Sequence, residues 1–138
     1  MGDRGNIEIK QPHAEDSVFL YTHWRGCQIK GILADALAKG GRWSDPSYLT
    51  RIIFQEMIGD NDTTTSFGIS VGQPDDNEYP IPLVHWVEED VIHDPGAAVP
   101  IPKRGPAKLT ITLEGVDYTP EDFVARYAGV LDRYRVTN

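Results

Sequence analysis

Between residues 27 and 58 the apolar residues recur at helical spacing twice in succession, and on both sides of that stretch their period is two. Ile29, Ile32, Leu33, Ala36 and Leu37 form one stripe along a helix expected from about Cys27 to Lys39, stopped by Gly40 and Gly41. The second helix has an explicit start, with Asp45 able to cap and Pro46 suited to the first helical position. Leu49, Ile52, Ile53 and Met57 make its buried stripe, Tyr48 and Phe54 flank it, and Gly59 ends it. Two helices in a row do not alternate one for one with strands, which suggests an α+β arrangement.

The flanking segments read as strands. Ile7 and Ile9 alternate with polar neighbours, and "SVFLYTH" is apolar on both faces, as a central strand should be. "QPHAED" joins these two as a hairpin connection, with His13 a solvated loop residue. After the polar loop "DNDTTT", "SFGISV" places Phe67, Ile69 and Val71 on one face, and Gly68 marks a bulge or a close backbone approach. "PLVHWVEEDVI" reads as a long strand beyond the turn-rich "GQPDDNEYP", and the Pro- and Gly-rich 94–106 as a surface loop. "AKLTITLEG" alternates strictly, with Leu109, Ile111 and Leu113 inward. A last helix begins with Thr119 as cap and buries Phe123, Val124, Tyr127, Ala128 and Leu131. The order β-β-α-α-β-β-β-α predicts one α+β domain over residues 1–138. Its sheet should be mainly antiparallel, of about five strands, with helices on one face.

Charge is unevenly spread. Residues 52–102 carry ten acidic residues and no Lys or Arg, whereas the rest of the chain is nearly balanced. That middle segment argues against tracking a phosphate backbone, so no duplex nucleic acid is expected as partner. A solvated acidic surface is the plain alternative to any functional reading of it. No apolar run approaches the roughly 18 residues of a membrane span, and "MGDRGNIEIK" has no signal-peptide core. Position 6 is Asn where a myristoylation signal wants Ser or Thr. A cytoplasmic protein with a reduced thiol is expected.

Cys27, the single cysteine, sits at a helix start with His23 nearby, where a lowered pKa could make it a nucleophile, but a lone cysteine is more often a small buried hydrophobe. The histidines lack metal-binding spacing, "DNDTTTS" lacks the Gly and Glu of a calcium loop, and the pair Glu89 and His93 fits a solvated strand end better than a cation site. No phosphate loop is present. No catalytic residue, metal or cofactor is therefore assigned. Trp24, Trp43 and Trp86 lie at element boundaries beside polar residues. An indole beside a guanidinium can stack a base and hold its phosphate, although a tryptophan is as readily a core residue.

Several motifs occur in order: "MGDRGNI", "VFLYTHWRG", "RWSDPSYLTRIIFQEMIGD", "SFGIS" and "DNEYPIPLV". Over residues 1–87 the chain resembles a family of short, uncharacterised proteins of actinobacteria and their phages. That family commonly has Gly at the position of Arg25 and has no established activity, so the resemblance carries no catalytic residue across. It implies a setting in which a small acidic protein interferes with host processes by binding, one such class sequestering the nucleotide messengers of antiviral signalling.

Three functions follow as expectations. The first is a non-enzymatic binder of a small anionic, nucleotide-like ligand, in a pocket or at a homo-oligomer interface, using Arg4, His23, Trp24, Arg25, Arg42, Trp43 and Arg51. The second is a protein–protein interaction module or inhibitor whose acidic segment, residues 52–102, docks a basic host protein. The third is a small hydrolase or transferase using Cys27 with His23.

Overall fold

A computed structural model describes residues 2–60, 65–88 and 107–129. Six strands form one mixed sheet. They are β1 (Gly5–Lys10), β2 (Val18–Thr22), β3 (Phe67–Val71), β4 (Leu83–Val87), β5 (Lys108–Leu113) and β6 (Val116–Tyr118), in spatial order β3-β2-β1-β4-β5-β6. Every neighbouring pair is antiparallel except β1 with β4, which run parallel at the centre. The helices are α1 (Ile29–Ala38), α2 (Pro46–Ile58) and α3 (Pro120–Tyr127), and a short 3-10 turn, Gly26–Gln28, leads into α1.

The α+β class and the dominance of antiparallel pairing hold, with one difference from the expected order and one at Gly68. A sixth strand follows β5, joined to it by Glu114 and Gly115, both at positive φ (51° and 79°), the signature of a two-residue hairpin turn. Gly68 marks neither a bulge nor a tight approach. The β2–β3 register runs unbroken through it, and a side chain there would meet its neighbours only at 4.0 Å. His13 is solvated at the hairpin but pairs with Glu88 at 3.1 Å. Leu131, the pair Glu89 and His93, segment 94–106 and most of "DNDTTT" lie outside the described residues.

One face of the sheet meets the helices. Ile7, Ile9, Leu20, Val84, Ile111 and Leu113 from the strands pack with Ile32, Leu33, Leu37, Leu49, Ile53, Met57 and Phe123 from the helices in one core. The opposite face is polar at its centre: Ser17 donates to Glu8 at 2.6 Å, and Thr112 joins His85 to Asp117 at 2.9 and 2.6 Å. Among the described residues no helix is long and apolar enough to cross a membrane. Two tryptophans fasten the helix layer to the sheet. Trp86 donates its indole N–H to Trp43 O at 2.7 Å, and Trp43 donates its own to Leu37 O at 3.1 Å.

The cap on α3 is the expected one, with the Thr119 hydroxyl accepting from Asp122 N–H at 3.1 Å. Thr119→Ala should lower unfolding free energy by about 1 kcal/mol. Phe123→Ala, at a fully buried position, should lower it by about 3–5 kcal/mol. Urea unfolding of both variants checks the ordering: equal losses would mean that α3 is held by its cap rather than by its core contact.

Candidate functional site

The chain entering β1 folds against the end of β2 and the return loop before β4. Asp3 N–H donates to His23 O and Gly26 N–H to Asp3 O, each at 2.7 Å, while Glu78 N–H donates to Arg4 O at 3.0 Å. Residues 3 and 4 thus act as a seam between two segments distant in sequence. Gly26 has no room for a side chain, since a Cβ there would lie 2.7 Å from Arg4 C.

Side chains reinforce the seam. The Asp3 carboxylate accepts the Tyr79 hydroxyl and, at 3.2 Å, the Cys27 N–H. Arg4 pairs with Asp76 at 2.9 Å and Glu78 at 3.2 Å. Asn6, only 1% exposed, directs Nδ2 at Asp75 O, Asp76 O and Asn77 Oδ1 between 3.2 and 3.3 Å. Beside them the Tyr21 hydroxyl meets His23 Nδ1 at 2.7 Å, and the Trp24 indole sits edge-on to the His23 ring at 4.4 Å. Trp24 is 56% exposed, in contrast to Trp86 at 7%. Three of the motifs quoted above, "MGDRGNI", "YTHWRG" and "DNEYP", therefore meet at one corner.

The seven residues expected to hold an anion do not converge. Arg4, His23, Trp24 and Arg25 belong to this corner, but both arginines are already engaged. Arg25 Nη1 donates to Met57 O at 2.8 Å and Nε to Gln28 Oε1 at 3.0 Å, so it ties the corner to the C-terminal end of α2. Arg42 and Trp43 sit past the far end of α1, roughly 15 Å away by the rise of ten helical residues. Arg42 stacks on Tyr48 at 4.6 Å and pairs with Asp45 at 3.7 Å. Trp43 lines one surface concavity of about 260 Å³ with Lys108 and Pro120. Arg51, exposed on α2 and bonded to Gln55, lines a different one with Phe54 and Ile58.

The thiol is not set up as a nucleophile. A hydrogen bond to Asp3, burial and the Asp3 charge all push Cys27 up, opposite to the direction an attacking thiolate needs. His23 Nδ1 is engaged by Tyr21 rather than by Cys27. Among the described residues no group of three His, Cys, Asp or Glu could hold a metal ion.

The corner is acidic instead. Asp76 and Glu78 pair with Arg4, Asp3 precedes it, Asp75 adds to the negative charge felt by Tyr21, and the Asp76 side chain is 77% exposed. Burial pushes the Tyr21 phenol up against the influence of Arg4, and Asp76, Asp75 and Glu78 add to the rise. Asp75, Asp76 and Glu78 belong to the acidic segment 52–102 and are not among the seven residues expected to hold an anion. Their signal was three carboxylates in one turn-rich segment with no cation near in sequence.

No protein-family model matches the chain, and no curated protein or solved structure matches it.

The Asp3–Tyr79 contact makes the corner's pH response explicit. The Asp3 hydrogen bond, burial and the Asp3 charge push the Tyr79 phenol up to about 12. This contact is in place below the ordinary tyrosine value of about 10 and is lost as pH rises through about 12. On the acid side, burial works to raise Asp3, but hydrogen bonds from Cys27 and Tyr79 outweigh it and hold the carboxyl low. Its contribution is therefore present above the ordinary carboxylate pKa and lost as pH falls through the lowered one. In an ultraviolet titration of the tyrosines, Asp3→Asn should move one late-ionising phenol back toward the ordinary value. An unchanged titration would mean that Asp3 does not hold Tyr79.

Proposed function

We propose that this protein is a non-enzymatic binding module that docks a partner protein through the acidic corner, recognising a positively charged segment. The observation that carries the reading is the pair Asp76 and Glu78 on Arg4, with Asp3 next to it in sequence and Asp75 in the same loop, at the corner that holds the exposed indole of Trp24. An indole face attracts a lysine or arginine head by about 0.5–1 kcal/mol at an exposed site. The carboxylates supply the longer-range attraction that speeds encounter. The resemblance to short actinobacterial and phage proteins adds a setting to the proposal: a cytoplasmic protein that interferes with a host process by occupying one of its proteins.

An anionic, nucleotide-like ligand draws less support from the same geometry. Arg4 and Arg25 already have partners, and an incoming phosphate at the corner would meet Asp3, Asp75, Asp76 and Glu78. Sequestration of a signalling nucleotide is accordingly the weaker form of the binding hypothesis.

Affinity capture from host extract, followed by stopped-flow association at several salt concentrations, tests the reading. Raising ionic strength from about 0.05 M to about 0.5 M shortens the Debye length to a few ångströms and should slow association about tenfold or more. Asp76→Asn combined with Glu78→Gln should slow it further, and Trp24→Ala should mainly speed dissociation. A captured partner indifferent to both salt and these substitutions would sink the proposal.

A further inference from the structure

Among the described residues β3 ends the sheet, with β2 on one side and no strand on the other. His23 N–H donates to Ser66 O and Gly72 N–H to Ser17 O, each at 2.9 Å. Gly68 lies opposite Tyr21 and Ser70 opposite Phe19. The hydrogen-bonded pairs therefore fall at Ser66, Gly68, Ser70 and Gly72, and the N–H and C=O groups of Phe67, Ile69 and Val71 point away from β2. Ile69 and Val71, opposite Leu20 and Val18, share the helix side of the sheet, yet they are 59% and 67% exposed.

Natural edge strands are commonly guarded by a lysine, a proline or a bulge; "FGISV" has none of these. Its two faces differ in chemistry. The helix side offers Ile69 and Val71, while on the opposite side Asp75 Oδ2 lies 4.0 Å from the point where a side chain at Gly68 would begin. Trp24 follows the end of β2, whose last residue, Thr22, pairs with Phe67. The edge is thus continuous with the acidic corner.

We propose that the partner is engaged as an added strand on β3. It is an extended segment with apolar residues facing Ile69 and Val71 and basic residues, at the alternate positions, facing Asp75. Alternation is required because successive side chains of a strand point to opposite faces, and added strands draw affinity from main-chain bonds and specificity from side chains. Pairing β3 with the β3 of a second copy fits less well. It would bring a second Asp75 toward the same face, like charge against like charge. This inference rests on the acidic-corner reading and specifies the form its partner takes.

The test uses a capped pentapeptide, Val-Lys-Val-Lys-Val, against the whole protein, with Val-Glu-Val-Glu-Val as control. Amide hydrogen exchange is the readout. In the free protein the N–H groups of Phe67, Ile69 and Val71 should exchange fast and those of Gly68 and Ser70 slowly. The lysine peptide should protect the first three, and the glutamate peptide should protect none. Ile69→Lys, at an exposed position that leaves the core intact, should weaken lysine-peptide binding by up to about fivefold, as loss of one apolar cross-strand pair predicts. If the lysine peptide binds in a salt-sensitive way, weakened by the Asp76 and Glu78 substitutions, but leaves those three amides unprotected, the added-strand inference fails and the acidic-corner reading stands. Failure to bind in any salt condition overturns the inference, and the partner-capture experiment then decides the corner reading separately. Protection that rises with protein concentration in the absence of peptide overturns it in favour of self-pairing.

Discussion

The fold depends on enclosing α1. Seven of its ten residues are buried, namely Ile29, Gly31, Ile32, Leu33, Ala34, Ala36 and Leu37, and it packs against β1, α2 and α3. A helix apolar around most of its circumference has to be covered on several sides. The sheet covers one side and the two other helices cover the flanks. Gly31, Ala34 and Ala36 keep parts of its surface small, so neighbouring backbones can come close. The strand order then brings the ends of β1, β2 and the loop before β4 together beside the first turn of α1, which is where the acidic corner forms.

Much of this was legible in local pattern. The stripe of α1, the Asp45-Pro46 start of α2, the inward residues of β5 and the Thr119 cap of α3 are all encoded within a few residues of one another. Even there the details shifted: the first turn before Ile29 is 3-10, and Asp45 precedes α2 without a side-chain cap, pairing with Arg42 instead. The strand β6 was missed because "VDY" is too short to show a period and its turn, Glu114-Gly115, needs a non-glycine residue at positive φ. The parallel pairing of β1 with β4 joins segments more than seventy residues apart, and no short-range rule points to it.

The candidate site was the least legible part, for a physical reason. Residue type alone marks a guanidinium or an indole as suited to a phosphate, but whether a guanidinium is free depends on distant partners. Arg4 meets Asp76 and Glu78, and Arg25 meets Met57 O, across separations of 32 to 74 residues. The acidic imbalance of residues 52–102 was visible from the start. What the fold adds is that Asp76 and Glu78 meet on Arg4 while Asp75 comes near Gly68 of β3.

The three tryptophans also divide the molecule optically. Trp43 and Trp86, joined to each other and to Leu37 by their hydrogen bonds, sit where the helices meet the sheet, so their emission reports whether those layers are docked. Trp24 stands apart in water at the corner, within reach of collisional quenchers that Trp86 is shielded from. A single unlabelled chain thus carries one fluorophore group that senses folding and another that senses solvent access at its surface, separable by a quencher dissolved in the buffer.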